Sequence, residues 1–194
     1  MQSVAKEDLR REIRRRKQQY TSAQLEQQSL PIIARLKPRL AEAKTVLAYY
    51  SLPDEVFTHQ LIDDLVAEGK TVLLPKVIDA TTMELRRYTG RKDLSEGALH
   101  VMEPVGEPFT DFNLIDVALI PGVAFDADGH RLGRGRGFYD RFLTSHVLPL
   151  RSTEGRLLPM GRKTSCFLIG VCFDFQKVDA VPCEANDIPV DLVI

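Results

Sequence analysis

The chain has 194 residues, 44% of them hydrophobic, which is enough to bury the core of a single domain spanning residues 1–194 and too little for two. Its formal net charge of −1 at pH 7 argues against a protein whose main partner is nucleic acid or a membrane surface. Three dispersed cysteines without C-x-x-C spacing, and no apolar run long enough to span a bilayer, favour a cytoplasmic protein with reduced thiols over a disulfide scaffold, a zinc site or a membrane protein.

The first predicted element is a basic helix over residues 5–20 with only a thin apolar stripe. Lys6, Arg10 and Arg14 follow one another at intervals of four residues, so they share one face of this helix. Charge runs of this kind usually form a solvated surface. The alternative is that this face meets an anionic ligand.

A capping box at Thr21 and Gln24 predicts the start of a second helix, whose buried side runs from Leu25 to Leu40. Pro31 and Pro38 are expected to kink or divide this helix, because proline lacks the backbone N–H that a helix interior needs.

Several short apolar runs predict strands. Residues 45–50 indicate a core strand, residues 71–74 a second strand, and the alternation of residues 83–88 an edge strand. Ligands of open α/β sheets gather at the carboxyl ends of strands, where Glu55 and Lys76 would lie. The alternatives are that Glu55 stabilises the first turn of the next helix and that Lys76 is an ordinary exposed lysine.

Residues 116–120 and 166–173 predict two further strands, and a basic surface loop over residues 149–165 precedes the second. Helical and strand segments therefore alternate along the chain. This alternation predicts an α/β fold, a three-layer α/β/α sandwich with a mainly parallel sheet. We expect the protein to be a monomer.

The most unusual stretch is residues 131–137, Arg-Leu-Gly-Arg-Gly-Arg-Gly, which we call the glycine–arginine loop. Glycine lets backbone N–H groups approach an anion closely, and arginine neutralises its charge. Aromatic and apolar residues from Phe138 onward have helical spacing, so the loop should lead into a helix N-terminus that also favours phosphate. Asp140, in that first turn, could either cap the helix or hold a metal ion.

Two common glycine-rich motifs do not fit this chain. A dinucleotide fingerprint needs G-x-G-x-x-G, but Phe138 stands where the third glycine belongs. A Walker loop needs G-x-x-x-x-G-K-[ST], and its nearest candidate, residues 161–165, has arginine after the glycine and Arg156 in place of the first glycine.

The longer segment around the loop carries Pro121-Gly-Val-Ala-Phe-Asp126, then Gly129, then the run from Arg131 to Leu143. This segment resembles the signature of 5-formyltetrahydrofolate cyclo-ligases, also called 5,10-methenyltetrahydrofolate synthetases. Similar segments elsewhere extend the resemblance to residues 6–193: Lys6-x-x-x-Arg10, Tyr50-Ser51, Glu55-Val56-x-Thr58, Phe173 to Gln176, and Asn186-Asp187. Phe57 departs from the family, which commonly has an acidic residue there, and His100 stands where the family usually has glycine.

The resemblance implies a Rossmann-like layered fold and an activity. The implied reaction converts 5-formyltetrahydrofolate, with ATP and Mg²⁺, into 5,10-methenyltetrahydrofolate, ADP and phosphate through a phosphorylated formyl intermediate. Under this hypothesis the ATP-binding residues are Lys6, Arg10, Arg14, Arg131, Leu132, Gly133, Arg134, Gly135, Arg136, Gly137, Phe138 and Tyr139. The folate-binding residues are Tyr50, Glu55, Arg134, Gly135, Arg136, Gly137 and Phe138. Arg134, Arg136 and Asp140 are the catalytic residues, and Asp140 and Asp187 hold the magnesium.

Two other functions could use the glycine–arginine loop or the N-terminal arginines. A sugar-phosphate isomerase or an enzyme of acyl-CoA chemistry could also carry a glycine–arginine anion loop, but it would work without ATP hydrolysis. A nucleotide- or nucleic-acid-binding module could use the N-terminal arginines without turnover, and its binding would fall steeply with salt.

Overall fold

A seven-stranded, mostly parallel sheet with helices on both faces organises the molecule. The computed structural model describes residues 2–97, 102–147, 166–184 and 186–194. The predicted α/β class with a mainly parallel sheet is confirmed. His100 and the predicted loop over residues 149–165 lie outside the described residues.

The described α-helices are Gln2–Lys17 (α1), Ser22–Leu40 (α2), His59–Ala67 (α3) and Phe138–Phe142 (α4), and α4 continues into a π-helical turn, Leu143–Val147. Short 3-10 turns occupy Arg91–Asp93, Phe112–Leu114 and Asp174–Gln176. The strands are Thr45–Leu47 (β1), Thr71–Val77 (β2), Met83–Tyr88 (β3), Leu94–Glu96 (β4), Met102–Pro104 (β5), Pro108–Phe109 (β6), Val117–Pro121 (β7), Ala124–Phe125 (β8), Arg131–Leu132 (β9), Phe167–Val171 (β10) and Leu192–Val193 (β11). No helix within these described ranges is both long and apolar enough to cross a bilayer.

The strands of the main sheet follow the order β11-β10-β7-β1-β2-β3-β6. Strands β11, β10, β7, β1 and β2 pair in parallel, whereas β3 is antiparallel to both β2 and β6. The prediction that residues 83–88 form an edge strand is therefore wrong. Leu85 and Arg86 pair with the two residues of β6, a segment too short to be recognised as a strand from its own pattern.

Helix α2 begins as predicted. The Thr21 hydroxyl accepts a hydrogen bond from the Gln24 N–H at 3.3 Å, and the Gln24 side chain accepts one from the Thr21 N–H at 2.8 Å. Pro31 and Pro38 do not divide the helix, which is continuous to Leu40. Both prolines lie on its exposed side while its apolar side is buried against the sheet, so packing outweighs the two lost backbone hydrogen bonds.

Alternation along the strands divides the core between the two faces of the sheet. Val46 and Val72 point toward the layer formed by α2 and α3, while their neighbours Leu47 and Leu73 point toward the opposite layer, which includes α4. The two layers leave the carboxyl ends of β1, β2 and β7 open at one edge of the sheet.

Strand β1 ends at Leu47, three residues earlier than predicted. Beyond it, the carbonyl of Tyr49 accepts a hydrogen bond from the Thr58 hydroxyl at 2.5 Å, and the hydroxyl of Ser51 accepts one from the Thr58 N–H at 3.1 Å. These bonds attach the residues on either side of Tyr50 to the start of α3.

Candidate active site

A cavity of about 300 Å³ lies at the carboxyl ends of β1, β2 and β7. The glycine–arginine loop and the first residues of α4 form one wall, and Tyr50 and Glu55, just beyond β1, form another. An apolar part of the lining comes from β2, β3 and β5 through Leu74, Val77, Met83 and Met102. The topology thus places the cavity where ligands of open α/β sheets usually bind.

The glycine–arginine loop leads directly into α4, as predicted. Gly135 has φ 100° and Gly137 has φ 64°, values in the left-handed region that strongly favours glycine. Gly137 is the residue that precedes the helix, which begins at Phe138. Glycine at these positions therefore sets the path of the loop as well as leaving room beside its backbone.

Two of the three predicted ligand-binding residues of helix α1 attach it to other elements, Arg10 to the glycine–arginine loop and Lys6 to the C-terminal segment. Arg10 Nε donates a hydrogen bond to the Gly133 carbonyl at 3.0 Å, and Lys6 Nζ lies 2.6 Å from Asp187 Oδ2. Arg14 is exposed, and its side chain has no hydrogen-bond or ion-pair partner among the described residues. None of these three side chains lines the cavity itself.

Arg131 is held inside the protein by Asp140. Its Nη2 lies 2.8 Å from both carboxylate oxygens of Asp140, and the two side chains are only 5% and 21% exposed. The guanidinium carbon also lies 5.7 Å from the centre of the Tyr139 ring. The Asp140 carboxylate thus pairs with Arg131 and does not cap α4.

The segment that carries Asp187 contacts Asp140, the other predicted metal ligand, although 47 positions separate the two residues in the sequence. The backbone N–H of Ile188, next to Asp187, lies 3.5 Å from Asp140 Oδ1. Burial opposes ionisation of Asp187, but hydrogen bonds from Lys6 and the Glu184 N–H, with the charges of Lys6 and Arg131, hold the pKa of this carboxyl below its usual value. Asp140 and Asp187 therefore each lie beside a cation, Arg131 and Lys6 respectively.

Arg134 connects the loop to the segment after β1. Its Nη2 lies 2.9 Å from both Asp54 Oδ1 and Glu55 Oε1, while Asp54 also binds Lys17 Nζ at 2.9 Å. The second oxygen of Glu55 accepts the Leu52 N–H at 3.0 Å. Glu55 lies four residues before α3, so the alternative that it stabilises the first turn of that helix is wrong.

The other residues predicted to bind ligands divide into cavity-lining and buried groups. Arg136 lines the cavity, is exposed and has no hydrogen-bond or ion-pair partner in the described part of the chain. Lys76 and Phe138 also line the cavity. Leu132 instead packs in the core, and the side chains of Ser51, Val56 and Thr58 are likewise buried.

Several residues of this region carry no recognisable signal in the sequence. Asp54 pairs with both Lys17 and Arg134 only because α1, the glycine–arginine loop and the segment after β1 meet in space. The apolar residues Val77, Met83 and Met102 look like ordinary strand residues until the sheet places them around one cavity. Only the contacts between elements identify them.

A second group of ligand-type side chains lies near the start of the signature segment. Ligand atoms of Asp126, Asp128 and His130 all lie within 4.8 Å of one another, an arrangement that could hold a metal ion. Asp126 is buried and accepts hydrogen bonds from the His130 and Val181 backbone N–H groups. Its position in the fold is therefore explained by the turn that leads into β9.

Comparison with known proteins agrees with this architecture. A sequence model of the 5-formyltetrahydrofolate cyclo-ligase family matches residues 2–194. The chain is 30% identical to the 5-formyltetrahydrofolate cyclo-ligase of Escherichia coli strain K12 over 188 residues, covering 94% of this chain and 95% of that protein. It is 25% identical to the mouse (Mus musculus) protein of the same name over 200 residues, covering 98% and 93%.

Solved structures give the same assignment. The 5,10-methenyltetrahydrofolate synthetase of Aquifex aeolicus superposes with a TM-score of 0.76 at 31% identity, covering 97% of this chain and 88% of the other. The synthetase of Mycoplasma pneumoniae superposes with a TM-score of 0.67 at 26% identity, covering 97% of each chain. The chain therefore belongs to the 5-formyltetrahydrofolate cyclo-ligase family of enzymes.

Proposed function

We propose that this enzyme converts 5-formyltetrahydrofolate into 5,10-methenyltetrahydrofolate with consumption of ATP, in the presence of Mg²⁺, and releases ADP and phosphate. The observation that carries the proposal is the composition of the cavity. One wall is a basic glycine–arginine loop suited to phosphate, and another part of the lining combines an aromatic ring, a carboxylate and apolar side chains suited to a pterin.

The chemistry explains why two substrates must meet in one cavity. The formyl oxygen is a poor leaving group, so it first attacks the γ-phosphorus of ATP, and ADP leaves. The N10 nitrogen of the folate then adds to the formyl carbon and loses its proton, and the carbon–oxygen bond breaks to release phosphate. No step needs a covalent nucleophile from the protein, so catalysis consists of positioning and charge stabilisation.

The phosphate groups would lie against the glycine–arginine loop. Arg136 faces the cavity, and its side chain has no partner among the residues that the structure describes, so its guanidinium is available to an incoming anion. Arg134 is half-exposed and could turn from Asp54 and Glu55 toward the phosphoryl group that moves. Lys6 and Arg10, held against the C-terminal segment and the loop, would add positive charge beside the nucleotide.

The residues present also fit the expected metal ion. Mg²⁺ usually binds through one or two carboxylates, several waters and the phosphates of its substrate, and Asp140 and Asp187 are two such carboxylates next to the loop. Arg131 pairs with Asp140 and Lys6 pairs with Asp187, and these contacts orient the two carboxylates. A bound Mg²⁺ would supply additional neutralisation of the phosphate charge.

On the folate side, Tyr50 and Phe138 offer ring faces and Glu55 offers a hydrogen-bond acceptor to the N–H groups of the pterin. The Glu55 side chain is 15% exposed, so its interaction with a ligand would be little screened by water. Arg134, which contacts Glu55, would lie where the folate and the phosphate meet.

The decisive experiment mixes the purified protein with 5-formyltetrahydrofolate and MgATP and follows the near-ultraviolet absorbance of the methenyl product. We expect absorbance to rise only when all three components are present, with ADP formed in equal amount. No product, or product formed equally well without ATP, would contradict the proposal and favour an isomerase-like or acyl-transfer reaction.

Glu55→Gln is expected to raise KM for 5-formyltetrahydrofolate by about tenfold while KM for ATP changes less than about threefold, because a charged acceptor for the pterin is lost. Initial rates at varied concentrations of each substrate measure both constants. Asp54→Asn is the matched control, since Asp54 shares Arg134 with Glu55 but does not line the cavity. Equal effects of the two substitutions would show that Glu55 acts only through Arg134.

A further inference from the structure

Tyr50, which lines the cavity beside Glu55, has one face of its ring covered by His59. The centres of the two rings are 3.6 Å apart and their planes differ by 15°, so the imidazole lies flat on the phenol. Phe57 packs obliquely against the same imidazole, with ring centres 4.5 Å apart. Tyr50 is thus supported by a second ring that does not itself line the cavity.

The imidazole is fixed in turn by the backbone. His59 Nε2 lies 2.9 Å from the Ser51 carbonyl, and because a carbonyl only accepts, Nε2 carries the proton. His59 is the first residue of α3, whereas Ser51 follows β1, so this bond joins the helix to the segment that carries Tyr50. Burial lowers the pKa of His59, which keeps the ring neutral near pH 7.

Two further hydrogen bonds fix the backbone on either side of Tyr50. The Thr58 hydroxyl binds the Tyr49 carbonyl, and the Thr58 N–H binds the Ser51 hydroxyl, so the residues on both sides of Tyr50 are attached to the start of α3. The backbone of Tyr50 is therefore held independently of His59. What His59 adds is a restriction of the direction of the Tyr50 ring.

We propose that His59 is a positioning residue that holds the Tyr50 ring, by stacking, as a flat wall for the pterin of the folate substrate. This inference rests on the proposed function, because the proposed folate substrate supplies the pterin that would pack against the Tyr50 ring. A free tyrosine ring would have to be ordered when the substrate binds, whereas a stacked ring is already oriented. The effect of His59 should therefore appear in folate binding and not in the chemical step.

The test compares three substitutions that separate the ring of His59 from its hydrogen bond. His59→Ala removes both, His59→Gln keeps a donor for Ser51 without a ring, and His59→Phe keeps a flat ring without a donor. We expect His59→Ala and His59→Gln to raise KM for 5-formyltetrahydrofolate about five- to tenfold, with kcat and KM for ATP within about twofold. We expect His59→Phe to stay within about threefold of the original enzyme in all three constants.

His146→Ala is a matched control, because this histidine also packs on aromatic rings, those of Phe112 and Phe142, but lies outside the cavity lining. It should leave KM for the folate unchanged. If His59→Ala does not fold, His59→Gln makes the same measurement. An unchanged folate KM in the ring-free variants, or an equal loss in His59→Phe, would overturn the inference, whereas an original enzyme without turnover would contradict the proposed function instead.

Discussion

Asp140→Asn is expected to destabilise the protein by about 3 kcal/mol and to raise the Mg²⁺ concentration for half-maximal activity about tenfold or more. The Arg131 side chain is 5% exposed and both of its short contacts to a carboxylate are with Asp140. Asparagine keeps the shape but removes the charge, so a buried guanidinium loses its counter-ion. Urea unfolding measures the first effect, and activity at varied Mg²⁺ measures the second.

Asp64→Asn is the control for this substitution. Asp64 pairs with Lys37 at 2.9 Å, but both side chains are substantially exposed, so the loss should be less than about 1 kcal/mol. Its Mg²⁺ dependence should be that of the original enzyme. If Asp140→Asn unfolds at the same urea concentration as the original enzyme and titrates identically with Mg²⁺, Asp140 has neither role.

Arg134→Ala should lower turnover by at least about tenfold, equivalent to about 1.4 kcal/mol in the barrier, while the fold is retained. Stability should change little because the side chain is 51% exposed and exposed ion pairs contribute at most about 1 kcal/mol. Turnover should fall because Arg134 would stabilise the phosphoryl group beside the folate. Single-turnover rates with saturating MgATP separate this effect from nucleotide binding.

Two further variants make the Arg134 result specific. Arg134→Lys keeps the charge but not the forked geometry, so its turnover should lie between those of the alanine variant and the original enzyme. Arg15→Ala removes an arginine that is 75% exposed on α1 and pairs with Glu12, and it should not alter the kinetics. Unchanged kinetics in Arg134→Ala would remove this residue from the proposed site.

The contacts among the charged residues suggest how the two substrates share the site. Arg134 binds Glu55, so the arginine proposed for phosphate and the carboxylate proposed for the pterin neutralise each other in this structure. Turning Arg134 toward a phosphate would leave Glu55 available to the folate. The rates of the Glu55 and Arg134 variants should therefore be measured with each substrate at saturating as well as at low concentration.

Local features of the molecule could be predicted from the amino-acid sequence because they depend on neighbouring residues. The Thr21–Gln24 capping box needs only four residues, and the loop around Gly135 and Gly137 needs backbone angles that glycine adopts at little cost. The alternation of helical and strand segments along the chain also predicted the α/β class. The family could be recognised because the signature segment is contiguous.

Tertiary structure alone decided what each charged residue does. Arg131, Arg134 and Arg136 lie in the same short segment, yet the first is buried on Asp140, the second bridges Asp54 and Glu55, and the third faces the cavity without a side-chain partner in the described chain. Lys6 meets a carboxylate 181 positions away. Burial and ion pairing depend on which distant elements pack together, and local sequence does not contain that information.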